Sequence, residues 1–313
     1  MHRLSKISIL FIWLIAMAFF SGCASKFRQL QKSSDIQEKL AGALEYYDNE
    51  KYYKAATLLE EILPVLRGAE ESEQVLFKLA YAYYYQKQYT LAGHYFNRFY
   101  ETYTRSPLAE EALYMYAYSK YLESPRHSLD QSSTEEAIVV MQSFINKFPQ
   151  SEKKEEASKI ISELQKKLEK KYYEVAKQYY KLDRYKASMA AVDHFHKGFP
   201  DSKYNEELSF YKLKSAYNYA TESFFAKKKE RLDEAVKFYE NFIDKYPESK
   251  YLKEAENLYG MILVELEEVN EQQVKINEYK AKQEKLKKEA EEKAEQEQSQ
   301  EESTPETEEK ESE

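Results

Sequence analysis

Glycine and proline are scarce in this sequence, at 6 and 7 of 313 residues, and there is a single cysteine. Folds built on many tight turns, or on backbone held close to a ligand, place glycine where φ is positive. The scarcity therefore argues against dinucleotide-binding folds, phosphate loops, sandwiches and barrels. One cysteine leaves no disulfide framework and no multi-thiolate metal or iron–sulfur site. What is abundant is charge, at 33% of residues, and tyrosine, with 30 copies. The composition predicts an all-α protein, long enough for two or three average domains or one extended array.

The one long apolar run lies at the start. His2, Arg3 and Lys6 give a positive beginning, and Ile7 to Phe20 form a run of signal-peptide length, short for a membrane span. It ends in Phe20-Ser21-Gly22-Cys23, which resembles the lipobox of bacterial lipoproteins, although leucine is more usual where Phe20 stands. Two small residues before a cysteine suit cleavage there, so residues 1–22 are expected to be removed and Cys23 to carry the lipid, followed by a linker over 23–34. Each buried CH₂ of an acyl chain contributes roughly 0.8 kcal/mol, so several chains on Cys23 would hold the protein on a membrane. Loss of Arg3 and Lys6 leaves 45 basic against 55 acidic residues, a formal charge of −10. Residues 297–313 hold eight Glu and one Lys of this, and are predicted to be a disordered acidic tail. The remainder has no basic stripe, which speaks against nucleic acid as a partner.

Between these ends the chain repeats itself. Phe148-Pro149-Gln150-Ser151, Phe199-Pro200-Asp201-Ser202 and Tyr246-Pro247-Glu248-Ser249 each read as a helix stop followed by a serine N-cap, and Tyr103 to Pro107 is a degenerate copy. Upstream of each stop the pattern small-x₃-apolar-x₂-apolar-x₃-apolar recurs from Ala55, Ala92, Ala137, Ser188 and Ala235, which puts those side chains on one helix face. A preceding helix carries Ala43, Ala80, Ala117, Ala176 or Ala216, where a small side chain lets two helices approach closely. The distance between the paired small residues is 12 in copies one, two and four and grows to 20 and 19 in copies three and five, which predicts longer loops there. Apolar residues Leu252, Ala255, Tyr259, Ile262, Leu266 and Val269 predict a closing helix whose Glu/Lys-rich continuation, to about residue 296, is solvated.

These pairs resemble tetratricopeptide (TPR) repeats over residues 35–250, with departures in the missing prolines after Leu66 and Tyr103 and in large residues such as Phe99 and Phe144. The resemblance implies a superhelical array of about five helix pairs with a C-terminal capping helix over 251–296. It also implies that the first helix of each pair lines a groove, at positions three before, one after and four after the small residue. In copies two and three these are Phe77, Tyr81, Tyr84, Tyr114, Tyr118 and Tyr121, flanked by Leu40, Leu44 and Tyr47 and by Tyr173, Lys177 and Tyr180. This aromatic strip is a candidate site for an extended peptide with aromatic side chains, rings giving apolar contact and hydroxyls meeting its polar groups.

No catalytic constellation, metal motif or cofactor motif stands out. His194 and His196 are two apart on a helix, about 200° around its axis, and do not share a metal on a regular helix. A lipobox followed by five TPR-like pairs, aromatic-Pro-x-Ser junctions, and a third-copy loop with Ser124-Pro125 and Leu129-Asp130-Gln131-Ser132-Ser133-Thr134 together resemble the BamD family of outer-membrane lipoproteins. That resemblance implies a non-enzymatic scaffold of the β-barrel assembly (BAM) complex. Its partners would be a BamA-type insertase, other BAM subunits and unfolded outer-membrane β-barrel substrates, and it would face the periplasm on a lipid anchor. In that family the N-terminal repeats are linked to substrate signals that end in aromatics, which favours Phe77, Tyr81, Tyr84, Tyr114 and Tyr118. The C-terminal repeats, here within residues 170–260, are linked to the insertase. Other readings of the same residues are a pilotin or cell-division TPR lipoprotein, and a SusD-type glycan-binding lipoprotein, although the chain has no room for that family's long sugar-site insertions.

Overall fold

A computed structural model describes the backbone of residues 26–301 and side chains to residue 293. The expected signal peptide, Cys23 and residues 302–313 lie outside the described residues. Those described form twelve α-helices and no strand: α1 (residues 26–32), α2 (Ile36–Asp48), α3 (Tyr52–Ile62), α4 (Glu71–Tyr85), α5 (Tyr89–Thr102), α6 (Ala109–Glu123), α7 (Ser132–Lys147), α8 (Lys154–Lys181), α9 (Tyr185–Gly198), α10 (Asn205–Thr221), α11 (Phe225–Lys245) and α12 (Leu252–Glu301). The chain divides into two units, Met1–Lys171 and Tyr172–Glu313, with α8 contributing to both. From α2 to α11 the helices follow one another as TPR-type pairs, and α12 packs on α11 and α10.

The pairing follows from the small residues. Ala43, Ala55, Ala80, Ala92, Ala117, Ala137, Ala176, Ser188, Ala216 and Ala235 are all buried, and Phe96, Phe99, Phe144, Phe195 and Phe242 fill the space around them. Where the fourth copy has serine, the cost of burying its hydroxyl is met locally: Ser188 Oγ donates to the Ala176 carbonyl at 3.1 Å. Gly42 serves an analogous approach in the first unit, since a Cβ there would come within 2.4 Å of the Leu30 side chain of α1.

Each repeat-to-repeat junction is the same object. Ser106, Ser151, Ser202 and Ser249 donate their backbone N–H to the carbonyl of the aromatic residue three before at 3.0–3.1 Å. Their hydroxyls accept the N–H two residues on, at 3.0 Å from Leu108, 3.1 Å from Lys153, 3.1 Å from Tyr204 and 3.0 Å from Tyr251. The serine thus opens a single tight turn, and the α-helix proper starts three residues later. Within pairs one, two and four, the turn between helices is made by Glu50, Lys87 and Asp183 at φ of 58°, 60° and 56°. This left-handed position closes the preceding helix without glycine, at some conformational cost.

The two longer spacings take different forms. In copy three the extra residues form a loop, 124–131, held from inside by the buried Gln131. Its Nε2 donates to the Arg126 and Leu129 carbonyls at 2.9 and 3.0 Å, and its Oε1 accepts from Thr134 Oγ1 at 2.8 Å. Lys167 donates to Ser124 Oγ at 2.7 Å and Lys171 to the Leu129 carbonyl at 3.1 Å, so α8 fastens the same loop. In copy five the expected long loop is absent. α10 and α11 are joined through residues 222–224, and the additional residues lengthen α11 to 21 residues. The segment Phe225 to Arg231 contains neither glycine nor proline, and its helical form lets Arg231 lie 3.9 Å from the centre of the Tyr219 ring and Lys228 reach Glu265 at 2.5 Å. In α12, Ala255, Leu258, Ile262 and Val269 are buried, Tyr259 stacks on Tyr239 at 4.2 Å, and residues 270–293 are exposed throughout.

Candidate peptide-binding site

In the first unit, α4 and α6 present the six predicted aromatic residues, and the structure joins all of them in one network of rings. Phe77 meets Tyr81 at 5.1 Å, Tyr81 meets Tyr84 at 6.2 Å, and Tyr84 crosses to Tyr118 of the next pair at 6.4 Å. Tyr118 stacks on Tyr114 at 5.7 Å and contacts Tyr121 at 5.6 Å. Tyr114 is buried; the other five are half-buried, with part of each ring accessible. Two further tyrosines extend the surface beyond the −3, +1, +4 rule: Tyr85, 48% exposed, stacks on Tyr81 at 5.7 Å and on Tyr52 of α3 at 4.6 Å. The signal for Tyr85 was present as the third member of the run Tyr83-Tyr84-Tyr85, but a one-stripe pattern passes over a residue on the shoulder of its helix.

The hydroxyls of this surface are of two kinds. The Tyr81 hydroxyl donates to Glu111 and that of Tyr121 to Glu163 at 3.0 Å. The same link recurs in the second unit, from Tyr173 to Glu207 at 2.8 Å and from Tyr217 to Glu265 at 3.3 Å. In each case a tyrosine on the first helix of one pair donates to a glutamate on the corresponding helix that follows. A large part of the tyrosine on this face is therefore structural, holding successive pairs in register. These two hydroxyls, expected to meet a peptide, are already engaged. Tyr84 and Tyr118 make no protein hydrogen bond among the described residues, and the buried Tyr114 hydroxyl has none of standard geometry although the Glu156 carboxylate is near. Burial raises the pKa of Tyr81, Tyr84, Tyr114 and Tyr121 above the ordinary 10, reinforced by Glu111, Tyr118, Glu156 and Glu163 respectively, so these hydroxyls stay protonated well above physiological pH.

Beside the rings is a cavity of about 380 Å³ lined by Tyr81, Glu110, Glu111, Tyr114, Phe144 and Lys153, among others. Glu110 and Glu111 come from the first turn of α6, placed there by the Ser106 junction. Lys153 pairs with Glu156 at 3.1 Å; burial would raise the Glu156 pKa, but Lys153, the Tyr114 hydroxyl and Lys159 together outweigh it and hold the carboxyl below its ordinary value.

The flanking positions differ. Leu40 is buried and Leu44 half-buried in the core, while Tyr47 lies under the Lys78 ammonium at 4.2 Å. In the second unit Lys177 donates to both Tyr173 Oη and Glu207 Oε1 at 2.7 Å, and Tyr180 meets Tyr211 edge-on at 5.1 Å. His194 packs on Tyr172 at 5.3 Å, whereas His196, half-buried with its pKa lowered by burial, lies 3.4 Å from Ser209 Oγ. Among the described residues no group of three or more His, Cys, Asp or Glu is placed to hold a metal, and no helix is long and apolar enough to cross a membrane.

The profile of YfiO, the outer membrane lipoprotein family also called BamD, matches residues 34–208, more than half of the chain. The chain belongs to this family. A tetratricopeptide repeat profile matches residues 214–249, the fifth pair, so repeats of this kind are recognised beyond the YfiO match. No curated protein matches. Solved structures similar to this chain include the TPR2AB domain of yeast Sti1 in complex with pHSP90, 12% identical over 72% of this chain and 98% of that one, with a TM-score of 0.35. Another is a putative kinesin light chain from Podosopora anserina with nearly identical TPR-like repeats, 10% identical over 68% of this chain and 97% of that one, with a TM-score of 0.29. A third is the apo form of RapI, 15% identical over 76% and 81%, with a TM-score of 0.27.

Proposed function

We propose that this YfiO-family protein is a non-enzymatic scaffold of the BAM complex that holds unfolded outer-membrane protein segments on the tyrosine face of its first unit, beside a BamA-type insertase bound through its C-terminal pairs. Its lipid, on Cys23, would keep it on the outer membrane facing the periplasm, together with the other BAM subunits. The observation that carries the peptide-binding part is the accessible ring network from Tyr52 to Tyr121, with the Tyr84 and Tyr118 hydroxyls left untied. Rings supply apolar contact and free hydroxyls supply donors, which suits a peptide with its own aromatic side chains. No nucleotide or cofactor is needed: tethering substrate next to the insertase raises its effective concentration there.

Binding of an aromatic-rich peptide to the Tyr84→Ala/Tyr118→Ala protein tests this. Neither hydroxyl holds the fold together, so the double variant is expected to keep its helical content and to bind about tenfold or more weakly, as loss of central aromatic contacts does at interfaces. Unchanged affinity in a folded double variant would remove the claim.

A further inference from the structure

We propose that the cavity between Tyr81, Glu110, Glu111, Tyr114 and Phe144 takes a basic side chain, arginine or lysine, of the bound peptide; this rests on reading the tyrosine face as a peptide site. The protein supplies its own template for the interaction. In the second unit a tyrosine, Tyr173, donates to a glutamate, Glu207, and an ammonium completes the group: Lys177 lies 2.7 Å from each and 4.8 Å from the centre of the Tyr173 ring. Glu111 stands five residues after its junction serine, Ser106, as Glu207 stands five after Ser202. It likewise accepts from a tyrosine on the preceding first helix, Tyr81. By place in the repeat, Tyr173 lies three before Ala176 and Lys177 one after it, so Phe77, three before Ala80, stands where Tyr173 does and Tyr81, one after Ala80, stands where Lys177 does. At Glu111 a neutral hydroxyl therefore takes the place of the ammonium that Glu207 receives, and no cation pairs with this carboxylate among the described residues.

The first-turn acids of the neighbouring helices differ in what they touch. Glu73 accepts from Ser106 at 2.5 Å, Glu156 from Lys153 at 3.1 Å and Glu206 from Ser249 at 2.7 Å. Glu110, like Glu71 and Glu155, has no such partner among the described residues; what sets it apart is that it lines the cavity beside Glu111. The cavity's one lysine, Lys153, is neutralised by Glu156 and leaves the pair of carboxylates uncompensated, yet its ammonium sits 5.4 Å from the centre of the Tyr114 ring. That distance is within the range at which a ring face and a cation interact. Tyr114, whose buried hydroxyl lacks a hydrogen bond of standard geometry, also lines the cavity. Carboxylates with aromatic walls favour a planar guanidinium or an ammonium over a neutral side chain of the same size.

The test uses the full chain and two sets of aromatic peptides, one with arginine moved through each position and one with its neutral isostere citrulline at the same positions. At one position or more, arginine is expected to bind wild type about tenfold tighter than citrulline, a preference that shrinks as salt is raised. It is expected to disappear in Glu110→Gln/Glu111→Gln, where glutamine keeps an oxygen for the Tyr81 hydroxyl. No position at which arginine outperforms citrulline, or a preference that survives the double substitution, would overturn the proposal while leaving the tyrosine face intact. If neither set binds at all, the peptide-site reading falls and this inference falls with it.

Discussion

Replacing Phe195 by alanine is expected to destabilise the second unit by about 3–5 kcal/mol, the range for removing a fully enclosed phenyl ring. Phe195 is wholly buried in α9, where it packs with Val192, Leu208 and Ala176 and contacts the Phe199 ring at 5.1 Å. Space for it exists only because alanine and serine stand at the helix crossing, so the cavity left behind cannot collapse without moving the helices. Urea unfolding followed by circular dichroism measures the loss. A shift of the corresponding transition worth less than about 1 kcal/mol would contradict the tight packing assigned to the large residue of the repeat. Phe99 and Phe144 occupy the equivalent positions in the first unit and should behave alike, although both also touch site residues, Phe77 and Tyr114.

Cys23→Ser, exported behind a leader whose cleavage does not need a lipidated cysteine, is expected to move nearly all of the protein from the membrane pellet to the soluble fraction of the cell envelope. With a contribution of roughly 0.8 kcal/mol per buried CH₂, two or more long acyl chains make dissociation negligible, so losing them removes the anchor that Cys23 is expected to carry. Among the described residues there is no membrane-spanning helix to take over. Fractionation after high-salt and alkaline washing separates this from peripheral attachment: a serine variant still in the washed pellet would show that Cys23 is not what holds the protein there.

The repeat was legible in the sequence because helix packing imposes strict local demands. A close crossing tolerates only Ala or Ser, and Ala80, Ala117, Ser188 and their equivalents are buried where the spacing places them. The aromatic-Pro-x-Ser junctions were also legible, although the serines open a tight turn three residues before the helix instead of capping it directly. Spacing alone could not tell a loop from a longer helix, which is why the extra residues of copy five, read as loop, turn out to extend α11.

The chemistry of the tyrosine face was less legible. The hydroxyl-to-glutamate links join residues 30, 42, 34 and 48 apart, so no fixed period marks them. Each glutamate, seen in sequence, is one more member of a Glu/Lys-rich helix surface. Only folding reveals that Glu111 and Glu163 occupy hydroxyls that a peptide was expected to use, leaving Tyr84 and Tyr118 as the donors available to it. The cavity beside Glu110 and Glu111 is tertiary in the same sense, since α4, α6 and α7 each contribute a wall.

The measurement closest to the central claim is affinity purification of the tagged, lipidated protein from envelopes solubilised in mild detergent, with the retained proteins identified by mass spectrometry. A BamA-type barrel insertase is expected to co-purify in stoichiometric amount. Recovery of a secretin or a sugar transporter in its place, with no insertase, would contradict the account.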